Sequence, residues 1–157
     1  MIQDIITASG KKYNISKLLR EKKQYMDRDY RFDYIPELLQ GCLHVQTHGN
    51  DKMISETDEC CRFTCSANVD VYLLYPDKQP ALPVWMHDFE RTRMNVTRID
   101  SDPSNLKGYF GVYKKSFGKG ETIVLGGSSP QAMLDQEWYV RTEGVNYCMH
   151  TFCVREA

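Results

Sequence analysis

The run Val69-Asp70-Val71-Tyr72-Leu73-Leu74-Tyr75 constrains the fold more than any other part of the chain. Residues 71–75 are apolar on both faces of an extended backbone, the pattern of a central strand held between two packed layers. Period-two patterns surround it. Tyr30, Phe32 and Tyr34 alternate with Arg31 and Asp33, and Leu43, Val45 and Thr47 alternate with His44 and Gln46. Further β-branched or aromatic stretches predict strands over 61–65, 94–99, 109–115, 121–125, 138–141 and 145–154. Turn signals separate them: Gly49-Asn50-Asp51, Pro76-Asp77, Asp102-Pro103-Ser104-Asn105, Gly118-Lys119-Gly120 and Gly126-Gly127-Ser128-Ser129-Pro130. Helical patterns are short. Ile15, Leu18 and Leu19 start a stripe that goes no further, and Pro83 suits the first position of one or two turns over 83–91. The expectation is an all-β chain, a single jelly-roll-like β-sandwich domain over residues 1–157 with only short helical segments.

The composition supports such a core and narrows the partners. A chain of 157 residues fits one domain, and 41% apolar with 26% charged residues is an ordinary globular balance. Twenty Lys and Arg against 21 Asp and Glu leave a net charge of −1. That balance argues against nucleic acid held by bulk charge and against a polybasic membrane anchor. No run approaches the length of a membrane-spanning helix, so membrane insertion is not expected. The first ten residues are too polar for a signal peptide.

Six cysteines admit three readings: Cys42, Cys60, Cys61, Cys65, Cys148 and Cys153. Disulfides suit an extracellular setting, as do the sequons Asn14-Ile15-Ser16 and Asn95-Val96-Thr97. A bridge from Cys148 or Cys153 to Cys60, Cys61 or Cys65 is the specific expectation, because a terminal strand lies beside earlier ones in a sandwich. A zinc site would draw on the same cysteines with His150, although no C-x-x-C pair is present. Free thiols in a reducing compartment would act as small apolar side chains.

Catalytic motifs are missing. Cys148 with His150 and Cys42 with His44 are the compact thiol–imidazole pairs, but i and i+2 on a strand stand about 7 Å apart. No G-x-S-x-G, H-E-x-x-H or phosphate-binding loop occurs. Carboxylates at Asp100 and Asp102, at 56–59, and at Asn50-Asp51 lack the spacing of an EF-hand and read as solvated turns. No cofactor is implied.

Several short pieces carry a resemblance. They are Tyr25, Asp27-Arg28, Tyr30, Phe32, Pro36, Leu39, Gly41, His44-Val45-Gln46-Thr47 and Asn50-Asp51-Lys52. Later come Val71-Tyr72, Tyr75, Pro83-Val84-Trp85, Val112-Tyr113, Gly118-Lys119-Gly120 and Leu125-Gly126-Gly127. Together, over residues 13–127, they resemble the β-sandwich accessory modules attached to secreted bacterial polysaccharide-degrading enzymes. The resemblance implies a non-catalytic module associated with glycans or cell surfaces.

Aromatic side chains, 11% of the chain, independently suggest binding. A planar ring presents an apolar face to a sugar while neighbouring polar groups read its hydroxyls. Tyr75, Asp77, Lys78, Gln79 and Trp85 frame one loop and are the candidate glycan contacts. Core packing is the competing role for Tyr72 and Trp85. A protein interface built from Arg91, Arg93, Arg98, Trp85 and Phe89 is the alternative, and a Cys/His zinc protein or small enzyme the second alternative.

Overall fold

The computed structural model describes residues 1–100 and 106–157. Its strands are β1 (Ile2–Thr7), β2 (Asn14–Lys17), β3 (Arg31–Phe32), β4 (Leu43–Gln46) and β5 (Glu59–Cys65). They continue with β6 (Val69–Pro76), β7 (Glu90–Ile99), β8 (Lys107–Phe117), β9 (Ile123–Gly126) and β10 (Thr151–Glu156). Two short helices, α1 (Gln131–Leu134) and α2 (Glu137–Arg141), precede β10. A small sheet has the order β1-β5-β9, and a large one the order β2-β4-β10-β6-β8-β7-β3. All pairs are antiparallel. The arrangement is the expected β-sandwich with only short helices.

Strand β6 is buried along its whole length, as its double-sided apolar run requires. Val69, Val71, Leu73 and Tyr75 enter the core between the sheets. Tyr72 and Leu74 face a second core, completed by Leu18, Phe32, Ile35 and Leu39 from the segment that crosses the outer face of the large sheet. β10 splits in the same way: Phe152 and Val154 face the inner core, and Cys153 the outer one. Phe152 stacks on Phe63 of β5 with ring centroids 5.3 Å apart, joining the sheets directly. Burying a ring of that size contributes about 1.5–3 kcal/mol.

Four local expectations are corrected. The stretch 138–141 is helical: Tyr139 is buried, Trp138 and Val140 are exposed, and Arg141 bonds Glu137 one turn back at 2.9 Å. A short apolar run carries too little periodicity to separate helix from strand. The strand predicted over 145–154 begins only at Thr151, because Gly144 (φ +65°) and Asn146 (φ +71°) take the left-handed conformation that breaks an extended run. The stripe at Ile15 belongs to edge strand β2, where Ile15 pairs with Val45. The alternation 30–34 is shorter than expected, with only Arg31 and Phe32 paired. A one-turn 3-10 helix, Val84–Asp88, does follow Pro83 as its sequence suggests. The turn expected at residues 102–105 lies outside the described residues.

The expected disulfide is likewise corrected: all six cysteines are free thiols. Cys60, Cys61 and Cys65 sit in the inner core, whereas Cys153 points to the opposite face of the large sheet and Cys148 contacts Arg98. The alternation that makes β10 a central strand carries Cys153 away from β5.

Candidate functional site

The residues expected to touch a ligand divide into two groups. Tyr75 is buried, and its hydroxyl donates to the Ser128 carbonyl at 2.9 Å. Gln79 Nε2 donates to the same oxygen at 3.3 Å, and Trp85 Nε1 donates to the Gly127 carbonyl at 2.9 Å. The Trp85 ring lies edge-on to Phe89 and His150, and the space a Cβ at Gly126 would need is filled by its indole. These three side chains therefore clamp the 126–129 turn against the sandwich. Core packing is the role the structure gives Tyr75.

Asp77 and Lys78 go elsewhere. The end of β6 delivers them to the rim of a cleft between the β7–β8 hairpin and the 145–149 segment. The main cleft encloses about 400 Å³, with an adjoining lobe of about 230 Å³ that shares Lys78, Arg98, Asp100 and Cys148. Sites of this size accommodate small organic ligands.

Arg98 is the central residue. On β7 the alternation Met94, Val96, Arg98 points inward, so the chain places a guanidinium where an apolar side chain would be expected. It is only 4% exposed. Its Cζ lies 4.1 Å from the ring centroid of Tyr30, 5.3 Å from that of Phe110 and 5.4 Å from that of Tyr25, all favourable cation–π distances. Nη2 donates to Cys148 Sγ at 3.0 Å. Nε approaches Asp100 Oδ1 at 3.5 Å without the alignment of a hydrogen bond, and Nη1 has no partner among the described residues.

The walls are held by backbone contacts. The Tyr25 hydroxyl donates to the Met149 carbonyl at 2.6 Å, and Thr47 Oγ1 to that of His150 at 2.8 Å, fixing the 145–150 segment. Lys52 Nζ donates to the carbonyls of Gly144 (3.0 Å) and Tyr147 (3.2 Å). Burial holds its ammonium below the usual lysine range. Arg28 is paired with Asp27 at 2.8 Å. Burial pushes the Asp27 carboxyl up, but backbone N–H groups of Gly49 and Asn50, together with Arg28, outweigh it and hold the group below its ordinary value. Among the described residues neither Lys52 nor Lys78 meets a carboxylate within ion-pair distance.

Other sequence candidates are occupied by internal contacts. His150 is buried with Nε2 on the Gly126 carbonyl at 3.0 Å, and His44 is buried against Phe32 with neither ring nitrogen bonded among the described residues. Burial lowers their pKa values to about 4 and about 3. Neither imidazole is hydrogen-bonded to a thiol among the described residues. Glu56 accepts from the backbone of Val84 and Gln131, Glu59 from Arg62, and Asp51 from Tyr13 and Ser9. Asp102 lies outside the described residues. Arg91, exposed on β7, donates to the carbonyls of Thr92 and Met94 and lies over the Tyr113 ring. No group of three or more His, Cys, Asp or Glu gathers among the described residues in a way that would hold a metal ion.

Two antiparallel sheets packed as a sandwich, with a polar cleft beside the 145–149 segment, define a β-sandwich fold. Comparison with known proteins gives the same fold. The chain is 25% identical over 123 residues to a β-glucuronidase of Formosa agariphila, an alignment that covers 78% of this chain and 12% of that enzyme. It has the fold of part of a solved β-glucuronidase of glycoside hydrolase family 2, with a TM-score of 0.74 at 20% identity, covering 97% of this chain and 14% of that one. No protein-family model matches. The chain is thus similar to a small part of these enzymes, as the sequence resemblance led one to expect.

Proposed function

We propose that the chain is a single non-catalytic glycan-binding module that acts beside, or as part of, a glycoside hydrolase. The observation that carries this reading is the coincidence of a glycosidase-like β-sandwich with an open polar cleft lined by Tyr30, Lys52, Lys78 and Arg98. Tyr30 offers a half-buried ring at the cleft wall, and Lys78 and Asp77 offer polar groups at the rim. Shallow polar clefts with an aromatic wall suit sugars, which present both C–H faces and hydroxyls.

The test is binding of the 157-residue chain to a glycan array, with a parallel glycosidase panel. The reading expects retention on at least one glycan class and no turnover of aryl glycosides. Robust hydrolysis with no retention would overturn it. A second reading, contact with a protein surface, is favoured by Trp138 and Val140, which stand 40% and 50% exposed on α2. Stable co-purification of a protein that is lost on Trp138→Ala would favour that reading.

A further inference from the structure

The large sheet ends at β2 without being covered. Ile15, Val45, Phe152 and Leu73 stand side by side across β2, β4, β10 and β6, in one row on the inner face. Val45, Phe152 and Leu73 are fully buried, whereas Ile15 is 41% exposed, because the small sheet stops at β1. Between β1 and β2 the sandwich opens as a groove of about 550 Å³, floored by Ile2, Ile5 and Tyr13 and flanked by the exposed Ile6. The groove shares no residue with the cleft at Arg98. The backbone of β2 is open as well, since it pairs only with β4 among the described residues. Leu18 N donates to the Cys42 carbonyl at 2.8 Å, in continuation of that register. Alternate residues of an antiparallel strand bond to one side, so Ile15 and Lys17 turn their N–H and C=O groups to the free edge. β1 is the less regular edge: a bulge between Gln3 and Ile6, with Asp4 at φ +58°, bends it. Lys12 and Lys17, exposed before and within β2, meet no carboxylate within ion-pair distance among the described residues.

We propose that the β2 edge takes up an extended acidic polypeptide segment as a further strand, with an apolar side chain opposite Ile15 and a carboxylate two residues away opposite Lys17. Ile15 and Lys17 supply the backbone hydrogen bonds, and residues i and i+2 of the segment share the face that meets them. The apolar side chain covers Ile15 and enters the groove beside Ile5 and Ile6, completing the row that β2 leaves open. Edge lysines guard a sheet against pairing with another edge. On β2 that repulsion selects the partner. A second copy of the chain brings its own Lys12 and Lys17 against these, whereas an acidic strand neutralises them. The site is separate from the glycan cleft and stands whether or not that cleft binds sugar.

The experiment is amide exchange and chemical-shift titration of the labelled 157-residue chain with three acetylated, amidated peptides. The first is Glu-Thr-Val-Thr-Val-Thr-Glu, which presents the same face in either strand direction; the second carries Lys for both Glu, and the third Ser for both Val. The first should bind with a Kd below about 1 mM, and the other two at least about 10-fold more weakly. At saturation the Ile15 and Lys17 amides should exchange at least about 10-fold more slowly, because a strand now pairs them. Ile15→Pro removes the outward N–H at an edge position that tolerates proline, and should abolish binding. Lys17→Glu alters an exposed side chain and should turn the preference towards the Lys-ended peptide, so the test survives an Ile15 variant that does not fold. No binding of the first peptide, or equal affinity for all three, would overturn the inference. Binding without added protection at Ile15 and Lys17 would reduce the contact to charge attraction and overturn it equally.

Discussion

Arg98 on β7 stands directly opposite Gly108 on β8, and a Cβ added to Gly108 would lie 2.6 Å from Arg98 Nε. The glycine leaves the opening through which the guanidinium reaches the cleft. A Gly108→Ala variant must therefore displace Arg98, at a cost of about 1–3 kcal/mol typical of overpacking. Chemical denaturation should show that loss, and titration with a glycan retained on the array should show affinity falling with it. Unchanged stability and affinity would mean that the guanidinium is free to move aside.

Tyr75 and Trp85 should behave as structural residues. Tyr75→Phe removes the hydrogen bond to the Ser128 carbonyl and should cost about 0.5–1.5 kcal/mol. Gly126→Ala drives a methyl group into the Trp85 indole and should cost about 1–3 kcal/mol. Denaturant midpoints measure both. Glycan affinity should stay at the wild-type value in each folded variant, and a selective loss of binding would return these residues to the site.

The cysteines give a direct mass measurement. Freshly purified protein, denatured without reductant and alkylated, should carry six adducts, because all six thiols are free and Cys153 faces away from Cys60, Cys61 and Cys65. Four adducts would show a bridge that the arrangement of the two cores does not form.

Two buried histidines should make the fold acid-sensitive. His44 and His150 ionise near 6.5 when exposed, but burial lowers them to about 3 and about 4 in the folded chain. Below about pH 6.5 the unfolded chain binds protons that the folded chain refuses. Their contribution is therefore fully present above that pH and falls as the pH drops, by up to about 1.4 kcal/mol per unit for each group. His44→Leu keeps an apolar volume against Phe32 and removes two nitrogens unbonded among the described residues. Between about pH 7.5 and pH 5 the variant should lose about 2 kcal/mol less than the wild type. Identical pH profiles would show that His44 does not remain neutral.

Much of the fold was legible because strand burial writes itself into the sequence. The unbroken apolar run 71–75 announced a strand covered on both faces, and Phe32, Val45, Phe63 and Leu125 followed from alternation. Where local pattern is weak, the reading failed. Trp138 to Arg141 fits either period, and the left-handed Gly144 and Asn146 are set by packing that composition does not display. Of the proposed cleft, the sequence marks Lys78 and Asp77 through the loop they occupy, whereas Tyr75 and Trp85 bond the 126–129 turn and pack against the inner core. Arg98 carried a usable signal, a charge at the inward position after Met94 and Val96. Lys52 and Cys148 carried none, since their place in the cleft depends on the 145–150 segment folding back over residues 47–52.

The location of the site is the claim on which the rest depends. Amide chemical-shift mapping of the labelled 157-residue chain during titration with a glycan retained on the array tests it most directly. The account predicts saturable shifts concentrated at Tyr30, Gly49, Lys78, Arg98 and residues 145–149, with Trp85 and Gly127 unmoved. Shifts centred on Trp85, Gly127 and Val84, with Arg98 and Lys78 unaffected, would contradict it.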